Sequence, residues 1–385
     1  MSGRGAKGTD CRPVTQGLLA RFHEWIIKEI DMNANSAQMD LPTESLAQRW
    51  QTLREQQPGL RIRNAAQLLN VSEMELLLAQ PEGQVVRLRP QAGDIMQRLE
   101  RVGRVMTLAR NEEVVHETKG TIKDFKVAGK SNIGLCVGEI DLRTFFNHWQ
   151  HAFAVCEKGK DGQERHSLQF FSGAGEAIQK VYQVDETDRA AWQALVADFI
   201  SEEQRPVLNL VPRRPTERSQ KLPHGLEAFR EDWAQLKDVH HFHALTQKHG
   251  VDRLSALELI GRDWAYPVPD DSLEVLLQRA AQCQDPIMVF VGNPGTVQIF
   301  TGQVVRLMRT GPWFNVLDAN FNLHANTEAI TSTWVVRRPS TDGDITSLEC
   351  FNLGGELVVT LFGERKPGSP ELDSWRERVR ELQPV

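Results

Sequence analysis

The chain has 385 residues, enough for two domains of ordinary size with a core each. Forty percent of it is hydrophobic and 25% charged, the balance of a globular protein, and the net charge of −6 gives no whole-protein attraction for nucleic acid or an anionic membrane. No run of about 18 apolar residues occurs, so no membrane insertion is expected.

In chain order, residues 1–39 read as a poorly packed N-terminal extension. Its apolar stretch, Leu18 to Ile30, is broken by Arg21, His23, Glu24 and Lys28, which is not the pattern of a secretory segment, and Met32 offers an alternative start. The five cysteines (Cys11, Cys136, Cys156, Cys283 and Cys350) are scattered and never in CxxC spacing. They suggest neither a disulfide framework nor a zinc site, and a cytoplasmic location is expected. Residues 40–202 form an N-terminal repeat. Within it RNAAQLLNVSEMELLL, from Arg63, has the spacing of a helix-turn-helix. Its second helix, however, would offer Glu73 and Glu75 to a phosphate-lined groove, so a plain helical hairpin is expected. Residues 203–225 hold Pro206, Pro212, Pro215 and Pro223 and read as a linker. Residues 226–385 form the C-terminal repeat.

The two repeats lie about 180 residues apart. RNEEVVHETKGTI lines up with GNPGTVQIFTGQV, placing Asn111 on Asn293 and Gly120 on Gly302. Farther on, Leu142 falls on Leu323, Val155 on Val336 and Gly175 on Gly355, and upstream Trp50 and Leu53 echo Trp233 and Leu236. Each copy starts with helical patterns and then turns into short β-branched segments bounded by Gly, Asn or Asp, such as IMVFVG and ELVVTLFG. Without regular strand–helix alternation, the expected fold is α+β, duplicated, each half a large antiparallel sheet with packed helices.

The strongest local signal is DVHHFHALTQKHG, from Asp238 to Gly250. It holds His240, His241, His243 and His249, with Asp238 placed as an N-cap and Gly250 as a helix stop. On a helix His240 and His243 share a face, and His241 is turned about 100° away. Three readings stand side by side. The segment is a solvated histidine-rich face, or a zinc site that lacks nearby groups to complete four-coordination, or a proximal imidazole with neighbours for a metal that already carries four equatorial ligands, as haem iron does. Haem also needs cations for two propionates and apolar surface for the ring; Arg143, Phe145, Arg337, Arg338, Phe362 and Arg365 are candidates.

These motifs, with IDLRTFFNHW, SLQFF, PIMVFVGN, RRPSTDG and GELVVTLFGERKPG, resemble the cytoplasmic haem-handling proteins of Gram-negative haem-uptake operons, the HemS, ChuS, ShuS and PhuS family. The resemblance spans roughly Leu46 to Leu382, and HHFHALTQKHG looks most like the pseudomonad haem chaperones. It implies haem b bound as cargo in the C-terminal half, with His240 as the axial iron ligand and His241 and His243 as alternates. Arg143 would then lie on the distal side with Phe145 near the ring, Arg338 and Arg365 near the propionates or distal face, and Phe362 packed on the ring. The implied function is haem transport to a haem oxygenase, with the cytoplasmic face of an inner-membrane haem ABC importer as a further partner. Two rivals remain: a haem-degrading enzyme using a reductant and oxygen, and a haem-responsive DNA-binding regulator.

Overall fold

The computed structural model describes residues 44–385 other than 82, 130–131, 160–161, 206–207, 214–216 and 367. The expected extension at 1–39 lies outside the described residues, as does part of the linker. The chain divides after Pro58 into two units. In the first, α1 (Leu46–Gln56) starts on a reciprocal cap: Ser45 Oγ accepts from the Gln48 N–H, and the Gln48 side chain accepts from the Ser45 N–H.

The second unit opens with the expected helical hairpin, α2 (Ile62–Leu69) and α3 (Glu73–Leu78). Asn70, left-handed at φ 53°, stops α2, and Ser72 with Glu75 caps α3. Glu73 is turned inward at 5% exposure and accepts from Lys180 Nζ at 2.5 Å, so this carboxylate braces the hairpin on the sheet instead of facing solvent. After β1 (Val85–Leu88), α4 (Ala92–Arg98) leads into β2 (Gly103–Arg110) and β3 (Val114–Thr121). A three-strand meander follows, β4 (Lys126–Ala128), β5 (Ile133–Cys136) and β6 (Asp141–Phe145). The copy closes with β7 (His151–Lys158), β8 (Glu164–Phe171), β9 (Ala177–Thr187) and α5 (Arg189–Phe199).

The second copy repeats this series. Helices α6 (Gly225–Ala234), α7 (Phe242–His249) and α8 (Arg253–Ile260) precede β10 (Ala265–Val268) and α9 (Ser272–Cys283). Then come β11 (Ile287–Asn293), β12 (Thr296–Gly302), and the meander β13 (Leu307–Thr310), β14 (Trp313–Leu317) and β15 (Phe321–Asn326). Strands β16 (Ser332–Arg338), β17 (Ile345–Phe351) and β18 (Leu357–Gly363) and helix α10 (Asp373–Arg380) complete it.

The expected duplication of antiparallel sheets is present, with an exchange that the repeat did not reveal. One nine-stranded sheet runs β1-β7-β8-β9-β2-β3-β15-β14-β13, the other β10-β16-β17-β18-β11-β12-β6-β5-β4. Each copy sends its meander to the other's sheet: β15 pairs with β3 and β6 with β12. One core gathers α4 and α5 with residues of both sheets, such as Val105, Leu168 and Leu142, and with Phe125 from the loop before β4. The other gathers α9 and α10 with Val289, Leu361, Phe314 and Leu323. On the opposite faces α3 packs against Phe153 and Phe171, and α6–α8 against Val336 and Phe351.

Repeat-related asparagines join the sheets. Asn293 Oδ1 accepts from the Gly295 and Thr296 N–H groups, holding the β11–β12 turn. Its Nδ2 donates to the carbonyls of Arg110 and Ile178, both at 2.9 Å, in the other sheet. Asn111 does the same in reverse, holding its own turn at Glu113 and Val114 and donating to Gly292 and Val358. Between them Gln298 donates to the Thr107 and His116 carbonyls, and Gln179 to Gln298. Asn293→Ala strips partners from four backbone groups at once and should lower stability by at least about 1–3 kcal/mol. Asn111→Ala should cost about as much, both read as urea midpoints. Unchanged midpoints would show that these amides do not hold the sheets together.

Candidate functional site

The histidine segment begins at Asp238, extended at φ −154° and ψ 138°. Its Oδ1 accepts from the His240 N–H at 2.8 Å and from His240 Nδ1 at 2.6 Å. These hydrogen bonds, the backbone one foremost, hold the Asp238 carboxyl below its usual range. An ionised carboxylate only accepts, so Nδ1 of the neutral ring carries the proton and Nε2 keeps its lone pair. His240 is 82% exposed, and His241 and His243 are exposed beside it. The expected helix is present with one difference: Val239–His241 form a 3-10 turn, and α7 proper runs from Phe242 to His249, ended by Gly250, which is left-handed at φ 59°. The fourth histidine has another task. His249 is fully buried, with Nε2 2.6 Å from Asp232 and its ring against Phe229, and so ties α7 to α6.

Beneath the cluster, Phe242 is clasped by two guanidiniums. Arg338 Cζ lies 4.2 Å from its ring centroid and Arg253 Cζ 5.1 Å. Both cations meet Glu349, which has no exposure: Arg253 grips it with Nε at 2.7 Å and Nη2 at 2.9 Å, and Arg338 Nη1 lies at 2.7 Å. Ser347 Oγ donates to the same carboxylate. Burial alone would raise the Glu349 pKa, but Arg253 and Arg338 overcome it and hold it at about 2. Arg338, expected near the propionates, thus sits at 2% exposure beneath α7, where it orders the helix that bears the histidines.

Strand register places the remaining candidates on one face. Side chains alternate along a strand, so cross-strand partners share a face. Trp334 pairs with Glu349, Glu349 with Thr360 and Thr360 with Phe290; one row over, Ser347 pairs with Phe362 and Phe362 with Met288. Phe290 pairs with Ile299, Ile299 with Asp141, and in the next row Val297 pairs with Arg143 and Arg143 with Leu135. Phe145 follows two residues on. One end of this face carries α6–α8. Beyond them Met288, Phe290, Phe362, Val297 and Phe145 are half-buried, and Ile133 and Leu135 are exposed. Phe362 packs edge-on against Phe290 at 5.1 Å.

Arg365 lies at the histidine end. Thr341 N–H donates to the Lys237 carbonyl, just ahead of Asp238, and Asp342 in the same loop receives Arg365 Nη2 at 3.5 Å. Arg365 Nε is buried without a partner, a donor with unmet demand for an acceptor. Arg143 lies toward the far corner, about 13 Å along the strands and about 14 Å across them from Phe362 by standard strand spacings. Its Nη1 is held by Asp141 and the Cys136 carbonyl, and its side chain stays 30% exposed. An exposed imidazole with a fixed lone pair, a half-open apolar face and two guanidiniums at its corners can hold a broad, flat apolar ligand with acidic groups. Sequence reasoning missed Glu349, Arg253, Met288 and Phe290. The signal for Glu349 was a lone acid in the otherwise uncharged strand run SLECF; the others left none.

The family model of the haemin-degrading HemS/ChuX domain matches twice, over residues 70–199 and 250–382, each segment starting past its copy's first helices and the second just past the histidine cluster. Among curated proteins, the hemin transport protein HmuS of Yersinia pestis is 38% identical over 344 residues, 88% of this chain and 97% of its own. Among solved structures, holo-PhuS, a heme-binding protein from Pseudomonas aeruginosa, is 44% identical with a TM-score of 0.84, covering 89% of this chain and all of that one. The heme-degrading enzyme ChuS of Escherichia coli O157:H7 is 37% identical with a TM-score of 0.82, covering 88% of this chain and 99% of that one.

The ion cluster under α7 has a test that needs no ligand. Glu349 has a folded pKa of about 2 against an ordinary value of 4.5, so its contribution is complete above 4.5 and is lost as pH falls toward 2. Glu349→Gln should remove that part of the acid sensitivity and cost about 3–5 kcal/mol at neutral pH, because two guanidiniums lose their counter-charge. Denaturant titrations across that pH range read both effects. A neutral-pH midpoint equal to that of the natural chain would refute the role given to this carboxylate.

Proposed function

Since the chain belongs to the haemin-degrading HemS/ChuX family, we propose that it is a cytoplasmic haem chaperone, which takes haem from an inner-membrane importer and delivers it to a haem oxygenase. The observation that carries this reading is His240, oriented by Asp238 and flanked by two further exposed imidazoles, at the edge of a half-open apolar sheet face. The residues fit the cargo. His240 Nε2 offers the axial ligand, Phe290, Phe362 and Met288 offer apolar surface, and Arg365 and Arg143 offer donors to carboxylates. Asp238 strengthens the imidazole as a donor by accepting its other proton. His241 and His243 offer successive ligands during exchange, so the iron need not be left bare.

His240→Ala should shift the haem spectrum and weaken binding without unfolding the chain, residual binding passing to a neighbour. An unchanged spectrum and affinity would remove His240 from the role. Hand-off is tested by mixing loaded protein with a haem oxygenase and, separately, with a passive scavenger. Transfer to the oxygenase should be the faster, and His241→Ala/His243→Ala should bind haem yet transfer it more slowly. Equal rates in all arms would leave degradation as the better account. That second reading is supported by the similarity to the heme-degrading ChuS; loss of the Soret band under ascorbate with catalase present would favour it.

One haem per chain is expected despite the duplication. Pairing the left-handed caps Asn70 and Gly250 puts Leu60, Arg61 and Arg63 at the positions of His240, His241 and His243. On the sheet, Lys180, Tyr182, Glu117 and Lys119 stand where the other face has Thr360, Phe362, Ile299 and Thr301. A titration that breaks at two haems per chain and ignores removal of all three histidines would overturn the assignment.

A further inference from the structure

The hairpin of β7 and β8, away from the haem face, brings together a thiol, an imidazole and a carboxylate. Cys156 and His166 stand directly opposite in the ladder, and Glu164, two residues before His166, is on the same face. Cys156 Sγ, a His166 ring nitrogen and a Glu164 carboxylate oxygen all lie within 4.8 Å of one another, and His166 Nε2 is 3.6 Å from Glu164 Oε2. Among the described residues this is the one such convergence of three potential ligands. The pairings Val155↔Ser167 and Glu157↔Arg165 hold the backbone on either side, and the Cys156 N–H donates to the Gln84 carbonyl at 2.8 Å.

We propose that Cys156, Glu164 and His166 form a binding site for a divalent transition-metal ion, Zn2+ by preference, with water in the fourth position. A tetrahedral zinc ion with ordinary bond lengths keeps its ligand atoms about 3.4–3.6 Å apart. Closing from the present separations takes side-chain rotation alone, since Glu164 is 61% and His166 41% exposed. The donor set favours zinc over magnesium, calcium or manganese, because a thiolate and an imidazole are poor partners for hard cations. One thiolate and one carboxylate also neutralise the dication. The fold does not require these residues: at the same register in the other copy Arg337 faces Thr346, and Asp344 takes the place of Glu164. The site escapes sequence spacing because the hairpin, not a CxxC run, assembles it.

Co2+ is the spectroscopic probe, titrated into reduced full-length protein carrying His240→Ala, His241→Ala and His243→Ala so that the haem ligands cannot contribute. The expected result is a thiolate-to-cobalt charge-transfer band that saturates at one ion per chain and is displaced by Zn2+. Cys156→Ser should abolish the band. His166→Ala and Glu164→Gln should each weaken binding by at least the about 10–100-fold lost when only a ligand's supporting partner is removed. Circular dichroism of each variant checks the fold, and Cys156→Ser in the natural background should titrate with hemin as before. No band, or a band that survives Cys156→Ser, would overturn the proposal.

Discussion

A carboxylate with no access to water holds the histidine-rich helix of this protein in place. Glu349 lies on a central strand, and its charge is tolerable only because Arg253 arrives from α8 and Arg338 from β16. Those same guanidiniums face Phe242, the residue between His241 and His243. Ion pairing in the sheet thereby sets the position and angle of the helix start above it. A wholly apolar seat could hold α7 with as much energy, but it would not specify one rotation. Imidazoles that must present a lone pair in a given direction need that rotation fixed.

The duplication supplies two equal frameworks and two unlike outward faces. The asparagines at 111 and 293 keep identical tasks in both copies, holding a turn on one side and reaching into the other sheet on the other. The outward faces of the two copies differ in kind. Where one copy has a buried Glu349 beneath arginines, the other has Gln169 at the same register, with Lys180 and Glu73 paired nearby. One outward face keeps an apolar, half-open surface, and the other has become a charged brace for its helical hairpin.

Much of this was legible in the sequence. The repeat, the antiparallel strands, the Asp238 cap and the Gly250 stop all follow from local chemistry that tertiary packing did not override. Two things were not legible. Alternation in IDLRTFF predicts a strand and its two faces but says nothing about which sheet accepts it, so the exchanged meanders stayed hidden. Adjacent Arg337 and Arg338 offer no local sign of which points inward. Register decides it, with Arg337 half-buried near Tyr266 and Arg338 sealed against Glu349. Burial against Glu349 and Phe242, which adjacency in the sequence does not reveal, sets the second arginine apart from the first.

The exchanged meanders also impose an order on synthesis. As the chain leaves the ribosome, β3 emerges with β2 on one side and nothing on the other, because its second neighbour, β15, ends at Asn326. An open strand edge of this kind invites pairing with other chains until it is covered. The first sheet therefore waits, with an unsealed flank, for most of the second copy to be made. Residues such as Lys119 and Glu117 along β3 place charge on that flank during the interval when it has no partner.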